Sequence, residues 1–334
     1  MKINSLSVLF FCILCTACGH NQKIEVERLS LAPVEVAHDL ESMMPGQLLL
    51  SDNYILWTDP FHSEKFIHIL NRTTGEEIGQ MLSKGNGPDE LISPNISVLP
   101  EDKILAFDVN MNKKMLLSIE NALQQKNEIL QKQTGDYATT TRMISLGQHD
   151  FISFTPSNRQ PFLFFNEQTD DSHPFGSLPV EENVNNAYDV FQGSLAWHPI
   201  RKCLVYTTFR LPYMAVYTKK HNRFEIENTR MENKDYQIIE GNFKYNNPEH
   251  GAQELTLTAD YIVTIQRDRT VDQTDENRVG RDFTKLPHTV FLYNYKLQLL
   301  KIIDLGIPLL RLASDPTQNT VYAIGINPDF TLVK

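Results

Sequence analysis

The chain has 334 residues, of which 22% are charged and 41% hydrophobic, a composition typical of a soluble globular protein and not of a disordered one. Its 31 Lys and Arg residues against 41 Asp and Glu give a net charge of -10, so it lacks the basic excess on which nucleic-acid binding depends. We therefore expect no nucleic-acid partner.

The first residues have the pattern of an export signal. Lys2 supplies a positive charge, and Leu6–Leu14 form an apolar segment that is too short to span a bilayer but has the length of a signal peptide. This segment leads into Cys15-Thr16-Ala17-Cys18, which resembles the lipobox of bacterial lipoproteins, except that Cys15 stands where Leu is usual. The resemblance implies cleavage before Cys18 and lipidation of that cysteine. The alternative is an ordinary secretory peptide that is cut at a nearby small residue.

Cysteine usage agrees with export. Cys12 and Cys15 would leave with the signal peptide and Cys18 would carry lipid, so Cys203 would have no partner for an intramolecular disulfide. Cys203 lies in an apolar run and is expected to be a buried strand residue. No later segment is as long and apolar as a membrane-spanning helix, so lipid is the only membrane attachment that we expect. These features predict a lipid-anchored protein of the cell envelope that faces the periplasm, with exposure on the outer surface as the alternative.

Beyond a signal peptide at 1–17 and a tether at 18–23, the pattern is that of an all-β protein. Short runs of Val, Ile, Leu, Phe, Tyr and Thr alternate with turns rich in Asp, Asn, Gly and Pro, and sustained helical periodicity is nearly absent. The predicted strands are, in chain order, Tyr54–Trp57, Phe66–Leu70, Ile104–Asp108, Met115–Ile119, Phe151–Thr155, Phe162–Phe165, Leu204–Thr208, Met214–Tyr217, Tyr261–Gln266, Val290–Tyr293 and Val321–Ile324.

The strands recur in six units. The turn residues Asn53, Asp102, His149, Arg201, Asp260 and Gln318 mark the units at intervals of about 50 residues, a period typical of propeller blades. We therefore predict a single domain over residues 24–334, a six-bladed β-propeller with four-stranded blades. The last unit is one strand short, so the alternating segment Ile24–Leu29 is predicted to pair with Phe330–Val333 and close the ring. A short helix is predicted only within residues 119–133.

The segment Gly85-Asn86-Gly87-Pro88-Asp89-Glu90 joins the first unit to the second. This G-x-G-P-x-E turn resembles one found in the TolB-like six-bladed propeller lipoproteins of Bacteroidetes. The resemblance implies a six-bladed fold, an envelope location and no settled biochemical activity. The residues themselves indicate a blade connector, because two glycines and a proline favour a turn. A phosphate-binding loop is not expected here, because Glu90 would repel a phosphate.

Two insertions are predicted to share one face of the propeller. Residues 229–251 lead into the inner strand of the fifth blade, and residues 267–286 join its second and third strands, so both loops reach the same face. The first loop contains aromatic and polar side chains, including Tyr245 and His250, that suit contacts with a sugar or peptide. The face with these loops is thus expected to bind an unknown protein, peptide or carbohydrate.

Several polar residues are predicted near the starts of the inner strands. Arg142 and Arg311 would each need an acidic partner or an anionic ligand if they faced the channel, which strand alternation alone does not decide. Asp189 and Glu254 are further candidates for ligand binding. The sequence predicts a binding module without catalysis or cofactor.

The alternative function is a hydrolase of the lactonase type with Ca²⁺ or another divalent cation in the channel. Its candidate ligands are Glu90, Asn95, Asp189 and Glu254, whose spacing is not diagnostic. The sequence contains neither G-x-S-x-G nor a zinc pattern such as H-E-x-x-H.

Overall fold

The computed structural model describes residues 25–37, 40–62, 64–135, 140–147, 149–180, 182–231, 235–245, 251–274 and 282–334. The predicted lipid attachment at Cys18 and the candidate His250 therefore lie outside the described residues. Within these ranges, no helix has the length and hydropathy needed to cross a bilayer.

Six antiparallel sheets form the blades of a β-propeller, which confirms the predicted fold. Two N-terminal strands, β1 (Glu27–Ser30) and β2 (Glu35–Ala37), precede the first blade. In each blade the strands follow the chain outward from the central channel, except that β2 and β1 are added at the outer edges of blades six and five. Every strand predicted from the sequence overlaps a strand of the structure.

The first three blades are regular. Blade one contains β3 (Leu48–Leu50), β4 (Tyr54–Thr58), β5 (Lys65–Asn71) and β6 (Glu77–Ser83). Blade two contains β7 (Asn95–Leu99), β8 (Lys103–Asp108), β9 (Lys113–Ser118) and β10 (Ile129–Thr134). Blade three contains β11 (Arg142–Gly147), β12 (Asp150–Phe154), β13 (Phe162–Asn166) and β14 (Ser172–Phe175).

The second half of the chain includes one additional hairpin. Blade four contains β15 (Gly193–His198), β16 (Cys203–Thr208), β17 (Tyr213–Lys220) and β18 (Arg223–Met231), and the hairpin β19 (Tyr236–Ile239) and β20 (Asn242–Tyr245) follows it. Blade five contains β21 (Glu254–Leu257), β22 (Ile262–Ile265), β23 (Thr289–Tyr293) and β24 (Leu299–Asp304). Blade six contains β25 (Leu309–Ser314), β26 (Val321–Ile326) and β27 (Phe330–Val333).

In the described part of the chain, two short α-helices and one turn of 3-10 helix (Phe283–Lys285) lie in loops. Helix α1 (Ile119–Leu123) occupies the start of the segment predicted as helical, and its N-cap Ser118 accepts a hydrogen bond from the amide of Asn121. The rest of that segment includes β10, so the helix is shorter than the predicted range. Helix α2 (Ala187–Phe191) lies between β14 and β15.

Each pair of neighbouring blades shares its own apolar cluster. Adjacent residues of a second strand point to opposite faces of the blade, so Ile55 packs toward blade six and Leu56 toward blade two. Likewise Leu204 packs toward blade three and Val205 toward blade five. All four side chains are fully buried. A blade therefore buries both of its faces only when it has a neighbour on each side.

The N-terminal segment closes the ring, as predicted, but the closing strand is not the predicted one. Strand β2, Glu35–Ala37, pairs antiparallel with β27 and supplies the fourth strand of blade six. Strand β1, which lies in the predicted segment Ile24–Leu29 and extends beyond it, instead pairs in parallel with β24 of blade five. The prediction that Ile24–Leu29 pairs with Phe330–Val333 is therefore wrong. Polar and apolar residues alternate in both N-terminal segments, as is typical of an edge strand. Only the path of the chain decides which blade each segment joins.

A half-buried ion pair reinforces the junction between the last and the first blade. The Arg72 guanidinium donates to Asp315 Oδ2 at 2.9 Å and to the carbonyl of Ser51 at 3.1 Å. Burial alone would raise the pKa of Asp315, but hydrogen bonds from Thr317 and Arg72 outweigh it and lower that pKa. The pair thus joins residues that are distant in sequence at the point where the ring closes.

We expect Arg72→Ala to lower the free energy of unfolding by about 2 kcal/mol, because it leaves the half-buried Asp315 carboxylate without its charged partner. Urea denaturation would measure this loss. Lys220→Ala is the matched control, because the Lys220 and Glu225 side chains are 61% and 58% exposed and their ion pair is screened by water. Equal losses in the two variants would contradict the role given to Arg72.

Candidate functional site

The inner strands of all six blades surround a channel with a volume of about 740 Å³. This volume lies within the range of small-molecule binding sites. We call the face where the inner strands begin the upper face and the opposite one the lower face. Because strands alternate in direction, the loops into each inner strand and the loops between second and third strands lie on the upper face.

The two ends of the channel differ in charge. Asp52, Arg72 and Asp315 line its lower end, where acidic groups are in excess. Arg142, Glu254 and Arg311 line its upper end, where basic groups are in excess. Among the described residues that line the channel, the upper end therefore carries an excess positive charge even though the whole chain is acidic.

Glu254 compensates one arginine of this upper group. Arg311 Nη1 lies 3.5 Å from Glu254 Oε2, and the same guanidinium donates to the carbonyl oxygens of Gly46 and Leu310. Glu254 begins β21 and Arg311 lies on β25, so this ion pair bridges the inner strands of neighbouring blades. The sequence left the orientation of Arg311 undecided, and the structure directs it into the channel.

Arg142 belongs to the same group but lacks such a partner. It begins β11 in blade three, across the ring from blade six, and interacts electrostatically with both Glu254 and Arg311. Its guanidinium forms no hydrogen bond or ion pair with any residue that the structure describes. One carboxylate thus faces two guanidinium groups.

Burial shifts the pKa values of Glu254 and Arg142. It raises the pKa of Glu254, although Arg311 and Arg142 act in the opposite direction. Burial also lowers the pKa of Arg142, and the nearby charge of Arg311 adds to this decrease. Guanidinium groups remain protonated in proteins, so Arg142 keeps its charge at neutral pH.

Polar side chains extend the site around the channel. Asn95 begins β7, which contacts β11, so Asn95 and Arg142 are the first residues of adjacent inner strands. Asn95 Oδ1 is buried and accepts no hydrogen bond from a described residue. The side-chain amide of Gln47, in contrast, has protein partners: its oxygen accepts a hydrogen bond from the amide of Ile96 at 2.7 Å, and its nitrogen donates to the carbonyl of Ile96 at 3.3 Å.

Side-chain hydrogen bonds hold the inner strands together. The Ser314 hydroxyl lies 2.7 Å from the hydroxyl of Thr256 and donates to the carbonyl of Leu257 at 2.7 Å. These contacts join blades five and six directly below the ion pair of Glu254 and Arg311. These hydrogen bonds therefore fix the relative positions of the two strands that carry Glu254 and Arg311.

The described parts of the two predicted insertions, residues 229–251 and 267–286, contact the blades. Phe243 of the added hairpin is buried, its ring stacks on that of Tyr236 at 4.9 Å, and its backbone exchanges hydrogen bonds with the Asn186 side chain. Tyr245 packs at the margin of the same apolar cluster. In the other insertion, Asp268 is buried and accepts a hydrogen bond from Arg28. The described parts of both loops are thus packed against the blades.

Exposed apolar side chains also concentrate on the upper face. Of the large hydrophobic residues that are exposed in the described part of the chain, the upper-face loops carry Met43, Phe61, Ile92, Tyr188, Ile239 and Val271. The lower-face loops carry Ile200 and Val34, which is hydrogen-bonded to Lys334 at the end of β27. The upper face therefore has more apolar surface available for contact than the lower face.

The structure does not bring the four candidate metal ligands together. Glu90 accepts a hydrogen bond from the amide of Gly87 within its own turn, at 2.8 Å, and Asp189 lies exposed on α2. Asn95 and Glu254 do line the channel, but Glu254 faces two arginines, which would repel a divalent cation. Among the described residues, no group of three or more His, Cys, Asp or Glu side chains could hold a metal ion.

Sequence reasoning found three charged residues of the channel but missed Gln47. Gln47 immediately precedes β3, as Arg142, Asn95 and Glu254 begin their own inner strands. An alignment of the six sequence units on the starts of their inner strands places Gln47 at a position equivalent to these residues. Cys203, expected as a buried strand residue, is buried in β16, and burial raises the pKa of its thiol to about 12.

No protein-family profile matches the sequence, and no curated protein matches it. Solved structures do match in fold. The β-propeller domain of Cps50 (Swd1) from Myceliophteria thermophila is 9% identical, with a TM-score of 0.51 over 87% of this chain and 83% of that one. Regucalcin from Agrobacterium tumefaciens, a calcium-binding protein, is 6% identical, with a TM-score of 0.53 over 92% of this chain and 95% of that one. At such low identity these similarities establish the propeller fold alone.

We expect two arginine substitutions in the channel to have different effects on the melting temperature. Arg311→Gln should lower the melting temperature, because it removes contacts to Glu254 and Gly46. Arg142→Gln should leave the melting temperature unchanged or raise it, because it removes an unpaired charge. Differential scanning calorimetry would measure both. An equal decrease in the two variants would show that Arg142 has a structural partner.

Proposed function

We propose that this protein is a lipid-anchored, TolB-like propeller of the bacterial cell envelope that binds a ligand or another protein at its upper face without catalysis. One observation carries the proposal: the upper face combines both insertions, the exposed apolar side chains and the positively charged end of the channel. Binding surfaces commonly have this combination of apolar area and a few convergent polar groups. The lipobox and the G-x-G-P-x-E turn support the envelope assignment.

The path of the N-terminus supports an orientation with the upper face directed away from the membrane. Strand β24 runs from the lower to the upper face, and β1 lies parallel to it, so Glu27 is at the lower end of β1. A lipid on Cys18 would reach this end through the eight intervening residues, which extend at most about 3.5 Å each. The lower face would then lie nearer the bilayer, and the upper face would be free for a ligand.

The charge of the channel favours binding over metal-dependent hydrolysis. A divalent cation needs several oxygen ligands and usually more than one carboxylate. The upper end offers Glu254 beside two guanidinium groups, a set that suits an anion better than a cation.

Lipidation can be tested by metabolic labelling with an alkyne-tagged fatty acid. We expect Cys18→Ala to abolish the label and to release the protein from the membrane fraction, because the thiol and the amine of Cys18 are the proposed attachment points. Cys203→Ala is the control, since this thiol is buried and should not affect labelling. Labelling that persists in Cys18→Ala would refute the anchor.

Binding at the upper face can be tested by photocrosslinking in intact cells. p-Benzoylphenylalanine placed at Tyr188 or Val271 should form crosslinked species of higher mass, because these side chains are 48% and 70% exposed on the upper face. The same probe at Ile200 should form none, although this side chain is 65% exposed, because it lies on the lower face of the same blade as Tyr188. Crosslinks only from Ile200, or from none of the three positions, would refute a protein partner at the upper face.

A further inference from the structure

We propose that the upper end of the channel binds the carboxylate of a hydroxylated monocarboxylate, such as a uronic acid, through Arg142. This inference rests on the proposed function, and it names the chemical class of the ligand at the same face. It depends on groups that converge in the channel and not on the surrounding loops.

The charge balance identifies the ligand as a monoanion. Two guanidinium groups, those of Arg142 and Arg311, surround the carboxylate of Glu254. Arg311 is already bonded to Glu254 and to backbone carbonyls, so Arg142 is the guanidinium that remains available. A carboxylate neutralises the excess charge of one arginine and matches the planar fork of a guanidinium, whereas a dianionic phosphate would exceed that charge.

A neighbouring buried amide identifies a second requirement of the ligand. Asn95 Oδ1 lies in the same wall of the channel as Arg142 and has no donor among the described residues. A buried acceptor without a donor is costly, and a ligand hydroxyl would satisfy it. A molecule with a carboxylate and a hydroxyl a few ångströms apart would therefore use both groups together.

The framework around these groups suits a preformed site. Gln47 and Ile96 join blades one and two, while Thr256 and Ser314 join blades five and six. The strands that carry Asn95, Glu254 and Arg311 are therefore tied to their neighbours around the channel. Binding of a small ligand to such a framework requires little ordering of the protein.

The test is isothermal titration calorimetry on the full-length protein in detergent, with D-glucuronate, D-glucose and inorganic phosphate as probes. Glucuronate and glucose share a ring and differ in the carboxylate. We expect glucuronate to bind at least about tenfold more tightly than glucose, and more tightly than phosphate, because only glucuronate offers both groups. Equal binding of glucuronate and glucose, or tighter binding of phosphate, would overturn the inference.

Three variants separate this site from a general charge effect. Arg142→Gln should lower the affinity for glucuronate about tenfold or more, and Asn95→Ala should lower it less. Arg223→Gln makes the same charge change at the lower face, at the start of β18, and should leave the affinity unchanged. Unchanged affinity in Arg142→Gln would overturn the inference, and so would an equal loss in Arg223→Gln. The melting temperature of each variant shows whether it folds.

The outcome is separable from that of the crosslinking experiment. If probes at Tyr188 or Val271 crosslink a partner while glucuronate fails to bind, the inference falls and the proposed function stands. If glucuronate binds through Arg142 while no crosslinks form, the carboxylate site stands and a macromolecular partner at the upper face is refuted.

Discussion

The structure depends on the burial of blade faces against one another. Each sheet has two apolar faces, because alternate residues of its central strands point to opposite sides, as Ile55 and Leu56 do in blade one. One isolated blade would expose both faces to water, so the blades are stable only as a closed ring. The strand Glu35–Ala37 completes blade six, and the ion pair of Arg72 and Asp315 joins that blade to the first. Loss of closure would expose the apolar faces of blade six and blade one at the same time.

Closure of the ring also creates the channel and determines which residues line it. The inner strands of six blades begin around one opening, so residues that are far apart in sequence meet there. Arg142, Glu254 and Arg311 come from blades three, five and six. Their local excess of positive charge contrasts with the net charge of -10 of the whole chain. The overall charge of this protein is therefore a poor guide to the ligand that its channel would accept.

The similarity to other propellers has a clear physical limit. The β-propeller domain of Cps50 and the calcium-binding regucalcin share the arrangement of blades with this chain at 9% and 6% identity. Blade packing requires only alternating apolar residues and turns, which many sequences satisfy. The channel group of Arg142, Glu254 and Arg311 belongs to this chain, and its function has to be argued from its own charges and contacts.

The sequence by itself determined the number of blades, their strands and the presence of a closing strand near the N-terminus. It did so because strand alternation and turn residues are local properties that repeat with each blade. It did not determine which N-terminal segment closes the ring, because Ile24–Leu29 and Glu35–Ala37 both suit an edge strand. Only the tertiary structure decided that Arg142, Glu254 and Arg311 lie at one end of the channel while Glu90 and Asp189 lie elsewhere. The direction of a side chain at the start of an inner strand depends on the ring that surrounds it.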